Sequence, residues 1–203
     1  MELAAERVVL VEGVSDRHAI EALAKRQGRN LAAEGVAVVA MGGAQAIGRF
    51  LELYGPRGQN LGLAGLCDLQ EEDEFRRGLE RAGLGSDLSR DDMERFGFYV
   101  CVRDLEDELI RAHGATGVER IAEAKGDLQS FRTLQRQPAW SGRAPEEQLR
   151  RWMGSGGRRK SRYAAYLVEE LELTKMPRPL SGVLEATRTR PRRSAPASRR
   201  SPG

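Results

Sequence analysis

Four short apolar runs recur in the first half of the chain, and segments with helical spacing separate them. The runs are Val8 to Val11, Val36 to Ala40, Asn60 to Cys67 and Gly97 to Val102. Apolar runs of this length, bounded by turn residues, are typical of strands that are buried on both faces. Their alternation with helical segments predicts an α/β fold, in which a parallel four-stranded sheet carries helices on both faces.

Acidic residues stand at the ends of three of these four predicted strands. Glu12 follows the first run, Asp68 the third and Asp104 the fourth. Because the carboxyl ends of parallel strands lie on one edge of a sheet, we expect these side chains to converge. Asp16 and Glu106 lie close to them in the sequence. The first helix is predicted to begin near Asp16, with Ser15 or Asp16 itself as its N-cap.

Carboxylates that converge without a counter-charge repel each other, and one of them takes up a proton. A divalent cation removes this conflict, because hard oxygen ligands suit Mg²⁺ or Mn²⁺. The alternative is a set of ordinary capping and loop acids. Asp104 and Glu106 would then be N-terminal helix acids, whereas a strand continuing through them would place both carboxylates on one side. Asp107 and Glu108 are expected to face outward.

Beyond Gly114 the spacing is helical, and one loop is strongly basic. Residues 154–162 read G-S-G-G-R-R-K-S-R. They do not form a P-loop, because Arg159 replaces the glycine required before the lysine and no apolar strand precedes the loop. Amides at a helix N-terminus together with basic side chains predict a phosphate-binding or DNA-binding site, and a solvated basic cap is the alternative. The basic residues are Arg158, Arg159, Lys160 and Arg162.

The net charge of +3 is unevenly distributed, since residues 188–203 hold six arginines and no acid. Residues 187–203, rich in Arg, Pro and Ser, are expected to form a disordered tail that either holds phosphates or has no role. Two cysteines are too few for a disulfide scaffold. No apolar run approaches the ~18 residues of a membrane span, and no signal peptide is visible. We therefore expect a cytoplasmic protein without a membrane partner.

The motif L-V-E-G-V-S-D at residues 10–16, the strand-end Asp68 and the D-L-E at residues 104–106 resemble a known family. Together with the R-K-S-R-Y-A helix start, they are similar to the TOPRIM domain of the OLD (overcoming lysogenization defect) nucleases. The resemblance covers about residues 6 to 185. It implies a Rossmann-like TOPRIM core at residues 1–115, followed by a small helical extension at residues 116–186 and then the tail.

The resemblance also implies a function, namely two-metal hydrolysis of phosphodiester bonds in DNA by an endonuclease that uses two Mg²⁺ or Mn²⁺ ions. By this resemblance the acidic metal ligands are matched by Glu12, Asp16, Asp68, Asp104 and Glu106. Lys160 matches an active-site lysine that stabilises charge on the phosphate, and Glu12 is expected to bridge both ions.

The sequence departs from the family pattern in two ways. The usual TOPRIM D-x-D is here Asp68-Leu69-Gln70, so Glu71, or its neighbours Glu72 and Asp73, is expected to replace the second aspartate. OLD proteins usually carry an ATPase domain before the TOPRIM domain, so this chain resembles a standalone version whose ATP control would come from a separate ATPase. The alternative function is a catalytically weak TOPRIM module that binds nucleic acid or a partner ATPase. Primase-like nucleotidyl transfer shares the metals, but no zinc-binding or nucleotide-binding accessory is visible.

Overall fold

A four-stranded parallel sheet forms the centre of the fold. The computed structural model describes residues 5–156 and 158–188. Within them the strands are β1 (Arg7–Val11), β2 (Val36–Ala40), β3 (Gly62–Asp68) and β4 (Phe98–Cys101), in the order β2-β1-β3-β4. Neighbouring strands are parallel throughout, so all four carboxyl ends lie at one edge. The predicted four-stranded α/β fold is confirmed.

The described residues form ten α-helices, some between the strands and the others after β4. One of them, a six-residue helix after Ser89, was not predicted. Its N-terminus is fixed locally, because the Asp92 amide donates to Ser89 Oγ and Asp92 Oδ2 accepts from the Ser89 amide. The helices are α1 (Val14–Arg26), α2 (Ile47–Tyr54), α3 (Glu72–Arg81), α4 (Arg90–Arg95), α5 (Leu105–His113), α6 (Ala115–Ala124), α7 (Leu128–Gln135), α8 (Pro145–Gly154), α9 (Arg159–Glu170) and α10 (Arg178–Ala186).

The helices cover both faces of the sheet, as the apolar strands require. Side chains alternate along β1, so Val9 and Val11 join the apolar core on one face, and Val8 and Leu10 join the core on the other. The first core includes residues of α1, α5, α9 and α10, and the second includes residues of α2 and α3. Full burial of each such side chain contributes about 1.5–3 kcal/mol, which fixes the sheet edge as a rigid platform.

The helices beyond Gly114 continue the first of these two cores. Trp152 lies between Phe131 and Tyr163, with ring centroids 5.5 and 4.8 Å apart. Helix α9 packs along α1, where the Arg26 guanidinium donates to the Val168 carbonyl at 2.7 Å. The C-terminal end of α9 is therefore tied to the C-terminal end of α1.

The limits of the proposed TOPRIM core and helical extension stay a prediction. The predicted tail at residues 187–203 lies, beyond Arg188, outside the described residues. Among residues 5–156 and 158–188, no helix is both long enough and apolar enough to cross a lipid bilayer.

Candidate active site

Three carboxylates meet at the edge of the sheet where β1 and β3 end. Glu12 directly follows β1, and Asp68 is the last residue of the neighbouring strand β3. Glu71 follows in the 3-10 turn Leu69–Glu71. One carboxylate oxygen from each of the three lies within 4.8 Å of the others. The convergence expected from the parallel topology is thus present for Glu12 and Asp68, whereas the third member of this group is Glu71 and not Asp104.

The 3-10 turn after β3 selects Glu71 from the acids that could replace the missing second aspartate. Gln70 is exposed. Glu72 accepts a hydrogen bond from Arg90 Nε at 2.9 Å, and Asp73 pairs with Arg76 at 2.6 Å. Glu71 Oε2 is buried, and within the described residues it has no hydrogen-bond partner. Glu71 is therefore the acid that the turn directs into the cluster.

Asp16 joins the cluster from the first turn of α1. Its Oδ2 accepts the Gly13 amide at 2.9 Å, and Gly13 is the N-cap of the helix. The prediction of Ser15 or Asp16 as the N-cap was wrong: Asp16 is three residues further along, where its side chain reaches back to the cap amide. Burial and, to a smaller extent, the nearby charge of Glu106 together raise the pKa of Asp16 to about 7.

The electrostatics of Asp68 show that the acids act as one group. The pKa of Asp68 is raised to about 8, mainly by burial and in addition by the charges of the other acids, which are Asp16, Asp104, Glu71 and Glu106. The pKa values of Glu71 and Glu106 are also raised, in both cases mainly by burial. The protein alone therefore provides too little positive charge to keep all of these carboxylates ionised at neutral pH.

Asp104 is placed at this edge by its role as the N-cap of α5. Its Oδ1 accepts the Asp107 amide at 2.8 Å, and its Oδ2 accepts Arg150 Nε at 2.5 Å. Helix α5 begins at Leu105, so of the two alternatives for the D-L-E motif the helical one describes the backbone. Arg150 binds Oδ2, whereas Oδ1 accepts the Asp107 amide and keeps a second lone pair for the predicted role of Asp104 as a metal ligand.

Two other acids of α5 differ from what we expected of them. Asp107 and Glu108, which we expected to face outward, are mostly covered, with side chains 17% and 11% exposed. Asp107 pairs with Arg111 at 2.8 Å, and Glu108 Oε1 accepts the Val102 amide at 2.9 Å. The Glu108 bond ties the start of α5 to the residue that follows β4, and the Asp107–Arg111 pair lies within α5.

Glu106 and Lys160 form the contact that brings the helical extension to the sheet edge. Lys160 Nζ lies 3.3 Å from Glu106 Oε2, and the Glu106 side chain is 5% exposed. Glu106 Oε1 is buried and, within the described part of the chain, unpartnered. Although burial lowers the pKa of Lys160, the charges of Glu106 and Asp16 more than compensate, so its net pKa is raised and the ammonium stays charged.

The other basic residues predicted for phosphate binding diverge from Lys160. Arg159 folds back onto Trp152, donating to its carbonyl at 2.9 Å with the guanidinium 4.8 Å from its ring. Arg162 turns toward Asp127, at 3.7 Å, and Arg158 is an exposed N-cap. A helix, α8, precedes this loop where a P-loop would require a strand, which agrees with the prediction that the loop is not a P-loop. Gly157, within the loop, lies outside the described residues.

A basic groove that was not predicted opens beside Glu106 and Lys160. The groove has a volume of about 490 Å³ and is lined mainly by α8 and the turn before it. One of its arginines follows β4, two lie on α8, and one arginine and the tryptophan lie in the segment before α8. These previously unassigned residues are Arg103, Trp140, Arg143, Arg150 and Arg151.

The donor set fits hard divalent cations. Lys160 faces a group of carboxylates whose pKa values are raised, and two buried oxygens, Glu71 Oε2 and Glu106 Oε1, are unpartnered among the described residues. Carboxylate oxygens are the ligands that Mg²⁺ and Mn²⁺ prefer. The residues present thus supply both the ligand atoms and the charge deficit that a metal site requires.

The raised pKa values predict a pH-dependent stability of the metal-free protein. Between pH ~4 and ~8 the folded protein retains protons on Asp16 and Asp68 that the unfolded chain has lost, so stability falls as pH rises through this range. In EDTA the melting temperature should drop by about 5 °C across the range, and Mg²⁺ at pH ~8 should restore it. Asp68→Asn should flatten the drop. A melting temperature that is constant in EDTA would contradict the unneutralised cluster.

A second prediction concerns Glu71 as the replacement for the missing aspartate. Glu71→Gln removes one charge from the three-carboxylate group, so Mn²⁺ affinity measured by calorimetry should fall about 10- to 100-fold. Glu72→Gln is the matched control, because Glu72 is bound to Arg90 and should leave the affinity unchanged. Equal losses in both variants, or a loss only in Glu72→Gln, would contradict the assignment of Glu71.

The comparisons with known proteins agree with this fold. Residues 3–67 match the family model of the Overcoming lysogenization defect protein-like TOPRIM domain. The fold is similar to the C-terminal region of the Burkholderia pseudomallei OLD protein, at 22% identity over 90% of this chain and 97% of that one, with a TM-score of 0.70. It is also similar to the C-terminal region of the Xanthomonas campestris pv. campestris OLD protein, at 26% identity over 90% and 92%, with a TM-score of 0.69. The comparison with curated proteins finds no match.

Proposed function

We propose that this chain, which carries an OLD-like TOPRIM domain, is a metal-dependent endonuclease that hydrolyses phosphodiester bonds in DNA. The observation that carries the proposal is the group of Glu12, Asp68 and Glu71 at the sheet edge, whose oxygens lie within 4.8 Å of one another. TOPRIM domains act on nucleic acid with divalent metals, and the acids required for this are gathered here in one place.

We assign Glu12, Asp68 and Glu71 to one Mg²⁺ or Mn²⁺ ion, and Asp16 and Glu106, with Asp104, to a second. We also propose that Glu12 contributes to both sites, because its charge acts on both Asp16 and Glu71. When bound, two such metal ions would supply an activated water and stabilise the leaving oxygen of the phosphodiester.

The chain's own contribution is to position charge around the scissile phosphate. Lys160 keeps its proton in this acidic surrounding, so its ammonium can donate to a phosphate oxygen as negative charge develops there. Arg150 holds Asp104 in place by a hydrogen bond to Oδ2. Both basic residues come from the helical extension, so the extension completes the site that the sheet begins.

A second candidate function is a catalytically weak TOPRIM module that binds nucleic acid or a partner ATPase. Gln70 favours it, because this residue stands where the family pattern has its second aspartate and points to solvent. The position of Glu71 favours the endonuclease, because it returns a carboxylate to the cluster.

Conversion of supercoiled plasmid to the nicked circle distinguishes the two functions. The purified protein should nick plasmid with Mn²⁺ or Mg²⁺ and leave it intact in EDTA. DNA binding without nicking in either metal would reject the endonuclease and support the binding module.

A further inference from the structure

The groove beside Glu106 and Lys160 has the composition of a site for a nucleic acid strand. Lys160 and Glu106 lie at one end, where the groove meets the acidic cluster. The lining also includes four arginines and one tryptophan, which are Arg103, Trp140, Arg143, Arg150 and Arg151. A lining that combines arginines with an aromatic ring suits both parts of a nucleotide, its phosphate and its base.

The arginines of the groove other than Arg150 have weak ion pairs within the described residues. Arg143 reaches Glu147 at 4.0 Å while its Nε donates to the Ala139 carbonyl at 3.0 Å, and Arg103, next to Asp104, reaches Asp107 at 3.8 Å. Arg151 has no ion pair with any residue in the ranges 5–156 and 158–188. Exposed pairs of this length contribute little to stability, so a phosphate can replace them at small cost. These guanidiniums are therefore available to a ligand.

Trp140 is held in a fixed turn while its ring remains partly accessible. Its amide donates to the Gln137 carbonyl at 2.9 Å, and its carbonyl accepts the buried Gln148 side chain at 2.7 Å. The guanidiniums of Arg143 and Arg151 lie over the ring, 5.3 and 5.9 Å from its centroid. A base that stacks on this indole takes the place of a guanidinium, which then turns to the adjacent phosphate.

We propose that this groove binds an unpaired strand of the substrate, with one base stacked on Trp140 and the adjacent phosphates held by Arg143 and Arg151. The inference rests on the proposed function, because it places the strand that leads into the acidic cluster. In a duplex the bases are already stacked inside the helix and cannot lie on an external ring. The preferred substrate is therefore DNA with a single-stranded segment, such as a flap, a gap or a frayed end.

Tryptophan fluorescence tests the proposal directly. The chain has two tryptophans, and Trp152 is only 1% exposed. In EDTA, which prevents hydrolysis, an oligothymidylate of about 12 nucleotides should quench the Trp140 emission, and a hairpin duplex of equal length should quench it far less. Trp140→Phe should bind the strand with little quenching. Trp140→Leu should bind it about 10-fold more weakly, with circular dichroism confirming the fold.

Arg151→Gln provides an independent variant that leaves the packed core untouched. It should weaken strand binding and reduce the salt dependence by about one phosphate contact. Arg77→Gln is the matched control, because Arg77 is an exposed arginine of α3 on the other face of the sheet, and it should bind like the wild type.

Three results would overturn the proposal: wild-type binding by both Trp140→Leu and Arg151→Gln, equal quenching by strand and duplex, or equal quenching by free dTMP at the same concentration. The outcomes also separate this inference from the proposed function. Plasmid nicking without strand-dependent quenching would reject the groove alone. Quenching without nicking in any metal would reject the endonuclease and leave the strand site standing.

Discussion

Glu12→Ala is expected to lower metal-dependent nicking by at least about 100-fold. Glu12 belongs to the three-carboxylate group, and its charge also acts on Asp16 across the cluster. Its loss should therefore weaken both proposed ion sites. The same change removes repulsion from an unneutralised cluster, so the variant should melt at the same or a higher temperature than the wild type in EDTA. Initial nicking rates and melting curves measure the two effects.

Asp73→Asn is the matched control for this experiment, because it removes an acid that lies outside the cluster. Asp73 is exposed on α3 and pairs with Arg76. The control should nick at the wild-type rate, which would exclude a general effect of lost negative charge. Nicking by Glu12→Ala within about 3-fold of the wild type would instead contradict the assignment of Glu12 as a metal ligand.

Lys160→Ala is expected to lower nicking about 100-fold while changing DNA affinity in EDTA much less. The reason is that a donor aimed at developing charge acts mainly in the transition state. Glu106 would lose the ammonium 3.3 Å away and be left buried without it, so a modest fall in melting temperature is also expected.

Two further variants separate catalysis from simple charge at this position. Lys160→Arg keeps the charge and should recover part of the rate. Lys175→Ala removes an exposed lysine that pairs with Glu172 and should change nothing. A parallel loss of affinity and rate in Lys160→Ala would show that Lys160 only binds DNA, contrary to its proposed role in stabilising the reacting phosphate.

The sheet and the convergence of its acids were predictable because both follow from local patterns and one topological rule. Apolar runs marked the buried strands, and parallel strands place their carboxyl ends together. Strand order decides the rest: β1 and β3 are neighbours, so Glu12 and Asp68 meet. The choice of Glu71 over Glu72 and Asp73 was left open by the sequence, because it depends on the direction in which a three-residue turn projects its side chains.

The basic side of the site was less predictable, for two physical reasons. Consecutive residues on a helix point about 100° apart, so Arg159, Lys160 and Arg162 face three different surroundings although they look like one cluster in the sequence. The Arg150–Asp104 and Lys160–Glu106 contacts join residues 46 and 54 positions apart, and packing of the extension on the sheet creates them. No local pattern encodes such pairs.

Counting Mn²⁺ ions by electron paramagnetic resonance at pH ~8 tests the metal centre most directly, because it does not depend on substrate, partner or activity. The acidic cluster predicts two ions per chain for the wild type and fewer for Glu12→Gln, with Asp73→Asn unchanged. Absence of bound Mn²⁺ in the wild type, or the same count in Glu12→Gln, would contradict the metal-dependent nuclease.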